Sequence, residues 1–243
     1  MSNREFSQND QGLKARISVS NKAGWLYYKF SRLKISKCNA TAIVTFLVFS
    51  FHSSAQLSKL DISTVQELSE DRGACRTKGL RFITNTTNDI SIAIPIGLMV
   101  AGAIRNDRDM RKKALVVTES LALSTAVTFA LKYTIKRSRP YTKDSLITKI
   151  GPGGGYSFPS GHTSQAFAVA TSVAMAYPKW YIIAPAYLWA GTVAYSRMYL
   201  GVHYPSDILA GAIVGSGSAF LCYKVNKWIS KSREAKNITS FTY

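Results

Sequence analysis

Residues 196–207 read SRMYLGVHYPSD, placing Arg197, His203 and Asp207 within twelve positions and between two uncharged apolar runs. The fold turns on what those flanks are. Working outward, five uncharged segments follow one another, approximately Ile90 to Ile104, Ala114 to Leu131, Thr163 to Tyr177, Trp180 to Ser196 and Ile208 to Tyr223. Each reads as helix. Most are shorter than the ~20 residues that cross a hydrocarbon core, so buried helices of a soluble all-α protein are the competing reading. Two features favour lipid. The segments are apolar all round instead of along one stripe, and small residues recur in them, as in DILAGAIVGSGSAF at 207–220, where helices pack closely. The expected fold class is therefore all-α, a multi-pass transmembrane helical bundle of five core spans.

The totals agree with one such unit plus tails. Of 243 residues, 47% are hydrophobic and 18% charged, and 31 Lys and Arg against 13 Asp and Glu give a net charge of +18. That charge suits nucleic acid, an anionic membrane surface or phosphorylated substrates. The basic residues alternate with apolar runs and form no stripe interleaved with stacking aromatics, so nucleic acid is not an expected partner. Cys38, Cys75 and Cys222 form neither a disulfide framework nor a zinc pattern. Cys75 and Arg81 match a C-x5-R spacing, but no strand precedes them and Phe82 follows where a hydroxyl is usual, so the match is assigned no role.

Five zones are expected along the chain. Residues 1–37 form a basic polar leader with eight Lys or Arg, and residues 38–58 carry no charge. The latter are either a signal peptide cleaved after Ala55 or a first transmembrane span. Residues 59–88 read as an extracytoplasmic amphipathic segment, 89–225 as the core, and 226–243 as a basic cytoplasmic tail. With the N-terminus cytoplasmic, the cytoplasmic segments hold 19 of the 31 basic residues, five of them in the short RNDRDMRKK loop at 105–113. That satisfies the positive-inside rule.

The same topology gathers three polar clusters on the opposite face. In KYTIKRSRP, Lys132 and Arg139 are seven residues apart and are expected on one helix face about 10 Å apart, with Lys136 beside them. In GPGGGYSFPSGHT, the glycines let backbone approach a ligand closely. Ser160, Gly161 and His162 then open a helix whose free N–H groups and dipole suit a phosphate. In SRMYLGVHYPSD, Pro205 fits a first helical turn, and Asp207 lies four residues after His203, able to fix its tautomer. Two of the three histidines in the chain fall in these clusters; the third, His52, lies in the apolar leader. Three cations, two histidines and a carboxylate suffice for phosphoryl transfer without a cofactor. The residues alone leave open which histidine attacks, although its aspartate partner favours His203. Glu119, the one acid inside a span, is expected near the cytoplasmic end, paired with a nearby basic residue.

Lys132 with Arg139-Pro140, then Pro159-Ser160-Gly161-His162, then Ser196-Arg197 with His203 and Asp207, resembles the three-part signature of the type-2 phosphatidic-acid phosphatase superfamily. Every defining position and gap is matched, over roughly residues 85–225. The resemblance implies that His203 is a nucleophile forming a phosphohistidine, oriented by Asp207, and that His162 is the acid for the leaving group and later activates water. It implies that Lys132, Arg139, Arg197, Ser160 and Gly161 hold the phosphate. It implies no metal and no other cofactor, and a membrane lipid phosphate as substrate, removed at the outer face of a bacterial inner membrane. Phosphatidic acid, phosphatidylglycerol phosphate, undecaprenyl pyrophosphate and lipid A phosphates are the candidates. Two readings compete: a soluble, secreted acid phosphatase of the same superfamily, and a non-catalytic basic membrane protein.

Overall fold

A computed structural model describes residues 54–240, with side chains from 59 to 232. The leader 1–37 and most of the segment 38–58 lie outside the described residues. Within them the chain is helical, without strands: α1 Ser54–Glu70, α2 Ala74–Asn85, α3 Thr87–Ile104, α4 Arg108–Ile135, the single turn α5 Pro140–Lys143, α6 Gly161–Ala176, α7 Trp180–Tyr199 and α8 Pro205–Ser240. The five apolar segments of the sequence correspond to α3, α4, α6, α7 and α8.

The distribution of polarity is the reverse of a water-soluble bundle. On α3, Ile92, Ile96, Val100 and Ile104 are exposed at every fourth position, while Ser91, Pro95 and Gly102 are buried. The centre of the bundle holds buried Ser120, Ser124, Thr128, Thr163, Ser164, Thr171 and Ser172. A helix facing water turns its apolar stripe inward; here the apolar stripe faces out, as lipid requires. Three stretches, Thr87–Ile104, Arg108–Lys143 and Pro205–Ser232, are long and apolar enough to cross a membrane. The chain is an integral membrane protein, and the soluble secreted reading is set aside.

α6 is the centre of the bundle, packed against α3, α4, α7 and α8. Its small residues make this possible: Ala166, Ala168, Val169 and Ala170 are all buried. Toward α4, the Ser164 hydroxyl meets that of Thr128 at 2.8 Å and also that of Ser124. Toward α8 the backbones nearly touch, since a Cβ on Gly211 would stand 2.7 Å from the Ser160 carbonyl oxygen. Interfaces of small residues and hydroxyls are how helices associate where burial of apolar surface gives no drive.

The C-terminal ends of α4 and α7 and the N-terminal ends of α6 and α8 meet at one end of the bundle. α1 and α2 cover that end: Arg72 donates to the carbonyl oxygens of Tyr199 at 3.0 Å and Thr148 at 2.8 Å, and Leu80 packs with Tyr199, Leu200 and Val202. Two expectations change here. Lys132 and Arg139 do not share a helix face, because α4 ends at Ile135 and Lys136 turns the chain with a left-handed φ of 50°. Lys136 is exposed and is not among the residues that line the cavity described below. Glu119 is partnered by the Asn226 amide on α8, not by a basic residue.

Candidate active site

The three motifs close around one cavity of about 400 Å³ lined by Lys132, Arg139, Gly153–Gly155, Gly161, His162, Arg197 and His203, with Phe129, Tyr133 and Tyr156 at its edge. Lys132, in the last turn of α4, donates to the Tyr156 carbonyl at 2.8 Å. The break at Lys136 then carries the chain round so that Arg139 enters from the other side.

The glycine-rich stretch lines the cavity and also has a task the sequence did not suggest. Its backbone approaches a guanidinium: the carbonyls of Gly154 and Gly155 accept from Arg139 at 2.8 and 3.0 Å, and Val202 accepts at 2.9 Å. A Cβ at Gly153 would stand 2.8 Å from Arg139 Nη1, so the approach needs glycine there. The neighbouring Pro152 carbonyl accepts from Arg197 Nη2. The loop therefore fixes the cations, and they in turn face the cavity.

Arg197 ends α7 and is 1% exposed. Its Nη1 donates to the Thr84 hydroxyl at 2.8 Å, while its Nε–H is buried with no partner. Leaving a buried charged donor unpaired is costly, and an oxyanion in the cavity would satisfy it. Ser160 caps α6, accepts from the Thr163 hydroxyl at 2.9 Å, and sends its own N–H to the Asp207 carbonyl at 3.1 Å. Gly161 and His162 follow in the first turn, with free N–H groups at a positive helix end.

His203 sits in the α7–α8 hairpin, which reverses at Gly201 with φ 73°. Its Nε2 lies 3.3 Å from Arg139 Nη1. A guanidinium can only donate, so Nε2 carries the lone pair and Nδ1 the proton. Nδ1 faces Asp207 Oδ2 at 3.5 Å and the Ser157 hydroxyl at 3.5 Å. Burial pushes this imidazole down to about 3; Asp207 opposes that fall, and Arg139 and Arg197 add to it. The ring is neutral at physiological pH.

Asp207, in the first turn of α8, is fully buried and saturated with donors. Oδ2 accepts from the Ser157 hydroxyl and from the Tyr204 N–H at 3.0 Å, and Oδ1 accepts from Arg137 Nη1 at 2.6 Å. Ser157 and Arg137 were not singled out in the sequence. Arg137 reads as one more basic residue in a run, and only its place just after the helix break turns it toward Asp207. The C-x5-R match falls inside α2, so no cradle loop joins Cys75 to Arg81, and Cys75 is exposed.

The arrangement is a buried, neutral histidine whose Nε2 lone pair faces Arg139, with a second histidine and three cations lining the same cavity. Comparison with known proteins gives the class. Residues 113–231, which carry all three motifs, match the model of the PAP2 superfamily.

Among relatives, a lipid A 4'-phosphatase of Bacteroides thetaiotaomicron is 34% identical over 125 residues, covering 46% of this chain and 55% of the relative. An undecaprenyl-diphosphatase of Sulfolobus acidocaldarius is 31% identical over 116 residues, covering 47% and 56% respectively. The chain thus spans about half the length of the curated relatives it matches. In structure it is similar to LpxE of Aquifex aeolicus, with a TM-score of 0.61 at 24% identity, over 68% of this chain and 95% of that one. The similarity to LpxE is one of fold.

Proposed function

We propose that this protein is a membrane phosphatase that removes phosphate from a lipid phosphate or pyrophosphate through a phosphohistidine, with residues 89–225 as its catalytic core. The observation that carries the reading is the His203 Nε2 lone pair, fixed by Nδ1 facing Asp207 and directed into a cavity lined by Lys132, Arg139 and Arg197.

The phosphoryl oxygens bind to those three cations, to Ser160 and to the Gly161 N–H. Nε2 attacks phosphorus in line, while His162 gives a proton to the departing oxygen. A P–N bond forms and the P–O bond to the lipid breaks. His162, now neutral, takes a proton from water, which attacks the phosphohistidine and releases orthophosphate and free His203. The cations supply the charge neutralisation that a metal ion supplies in other phosphatases.

Lipid as substrate is supported by the surroundings of the cavity. A recess of about 230 Å³ shares Phe129, Lys132, Gly161 and His162 with it, and shares Asn88, Thr125 and Gln165 with a groove of about 820 Å³ between α3 and α4. A hydrocarbon chain in that groove leaves its phosphate at His203. The relatives' substrates, lipid A and undecaprenyl diphosphate, are of this kind, and phosphatidic acid and phosphatidylglycerol phosphate complete the set to test. The excess of basic residues on the other loops supports an outward-facing site in a bacterial inner membrane, with five core spans.

The test is phosphate release by detergent-purified protein from a panel of these four lipids in the presence of a chelator. One or more is hydrolysed, vanadate inhibits as a mimic of pentacoordinate phosphorus, and His203→Ala and His162→Ala are inactive. Undiminished release by His203→Ala would falsify the reading.

A further inference from the structure

The carboxylate of Asp61 is buried on α1, outside the family-matched residues 113–231, and it reaches the site from there. Its Oδ2 accepts from Arg137 Nη2 at 2.6 Å and from the Ser206 hydroxyl at 2.6 Å, and its Oδ1 accepts from the Ser206 N–H at 3.0 Å. Arg137 is thereby held at both ends of its fork, since Nη1 donates to Asp207 Oδ1 at 2.6 Å and to the Ser206 hydroxyl at 2.7 Å. Its guanidinium lies over the Tyr204 ring, 4.1 Å from the centroid.

We propose that Asp61 is a positioning residue for the phosphatase reaction, fixing Arg137 and the first turn of α8 so that Asp207 is presented to His203. This rests on the reading of His203 as nucleophile.

The physical case has two parts. Among the described residues Arg137 is the sole partner of Asp207 Oδ1, and its side chain is 24% exposed. A guanidinium paired at one end only can rotate and carry the carboxylate with it; a second carboxylate on its other nitrogen removes that freedom. The Ser206 N–H, in turn, is one of the orphan donors at the start of α8. Asp61 satisfies it from a different helix, which sets the height of the turn carrying Asp207. Packing agrees, because Val65 of α1 is buried with Ile147 and Tyr204 beside this cluster. Asp61 touches neither the cavity nor the reacting atoms, so its effect passes through Arg137 and Asp207.

The test uses the full chain in detergent with the best substrate of the panel, measuring kcat, KM and melting temperature for Asp61→Ala, Asp61→Asn, Arg137→Ala, Arg137→Lys and the Asp61→Ala/Arg137→Ala pair, with His203→Ala alongside. Asp61→Ala lowers kcat about tenfold or more with KM within about twofold, and the pair is no worse than Arg137→Ala, because both act through one link. Asp61→Asn keeps the shape but replaces one accepting oxygen with a donating NH2 and removes the charge, so it cannot accept from all three donors, and it falls between parent and Asp61→Ala at nearly the parental melting temperature. That variant decides the matter if Asp61→Ala does not fold. Parental kcat in Asp61→Asn, or losses that multiply in the pair, overturns the proposal. If His203→Ala is inactive and the Asp61 variants match the parent, only this proposal fails; if His203→Ala is active, the catalytic reading itself fails.

Discussion

Arg139 donates from Nη1 to Nε2 of His203 across 3.3 Å, so the guanidinium occupies the lone pair that meets phosphorus in the proposed reaction. On that reading, a substrate phosphate offers the guanidinium better acceptors and frees the lone pair as it binds, making activation of the nucleophile and recognition of the substrate one event.

Arg139→Lys tests that coupling. Lysine keeps the charge but loses the planar fork that spans four carbonyls and the imidazole. We expect kcat/KM to fall about a hundredfold in steady-state assays of lipid phosphate hydrolysis. A loss of less than a few fold would show the contact to be incidental.

The proposed covalent intermediate makes a chemical prediction. A phosphohistidine is labile to acid and stable to base, unlike a phosphoserine. Rapid quench with labelled substrate should yield a label of that stability on the peptide containing His203. In His162→Ala, given a substrate with a good leaving group, the label should persist longer, because the residue that activates water is missing. A base-labile label, or one on another peptide, contradicts the scheme.

The pH dependence of stability has a definite sign. His203 titrates near 3 when folded and near ~6.5 when unfolded. Between those values the unfolded chain binds the extra proton. The stabilisation from neutral burial is complete above ~6.5 and is lost as pH falls toward 3, at about 1 kcal/mol per pH unit. Thermal unfolding in detergent should show a falling midpoint from pH 7 to pH 4. The fall should be shallower in His203→Gln; equal slopes would mean that other groups carry the effect.

Gly153→Ala places a methyl carbon 2.8 Å from Arg139 Nη1, too close for both to stay in place. The guanidinium must move, and we expect about a tenfold loss of kcat/KM with little change in melting temperature. Gly79→Ala, on α2 with open space around its new Cβ, is the matched control and should retain full activity.

Much of this architecture is legible in the chain because it depends on local rules. The apolar runs mark the spans, and Pro205 and the Ser160-Gly161 pair mark the helix starts. The motif residues Lys132, Arg139, His162, Arg197 and His203 accordingly line one cavity. The parts that were not legible depend on a single backbone choice or on distance along the chain. Counting residues from Lys132 to Arg139 assumes an unbroken helix, and the left-handed Lys136 breaks it. Once it is broken, Arg137 faces Asp207, which no periodicity could indicate. The Asp61 to Arg137 contact spans 76 positions in sequence, and only tertiary packing brings the two together. The glycines announced a close backbone approach, but the approaching group is the enzyme's own arginine.

The three cations that line the cavity do not distinguish a phosphate entering on a lipid from one leaving as orthophosphate. No acidic side chain lines the cavity to repel the product; Asp207 is directed away, behind His203. On the proposed reading, orthophosphate competes with lipid for the same seat, and added phosphate should slow turnover. A site built this way would work fastest in phosphate-poor surroundings, where the ion it liberates is of most use.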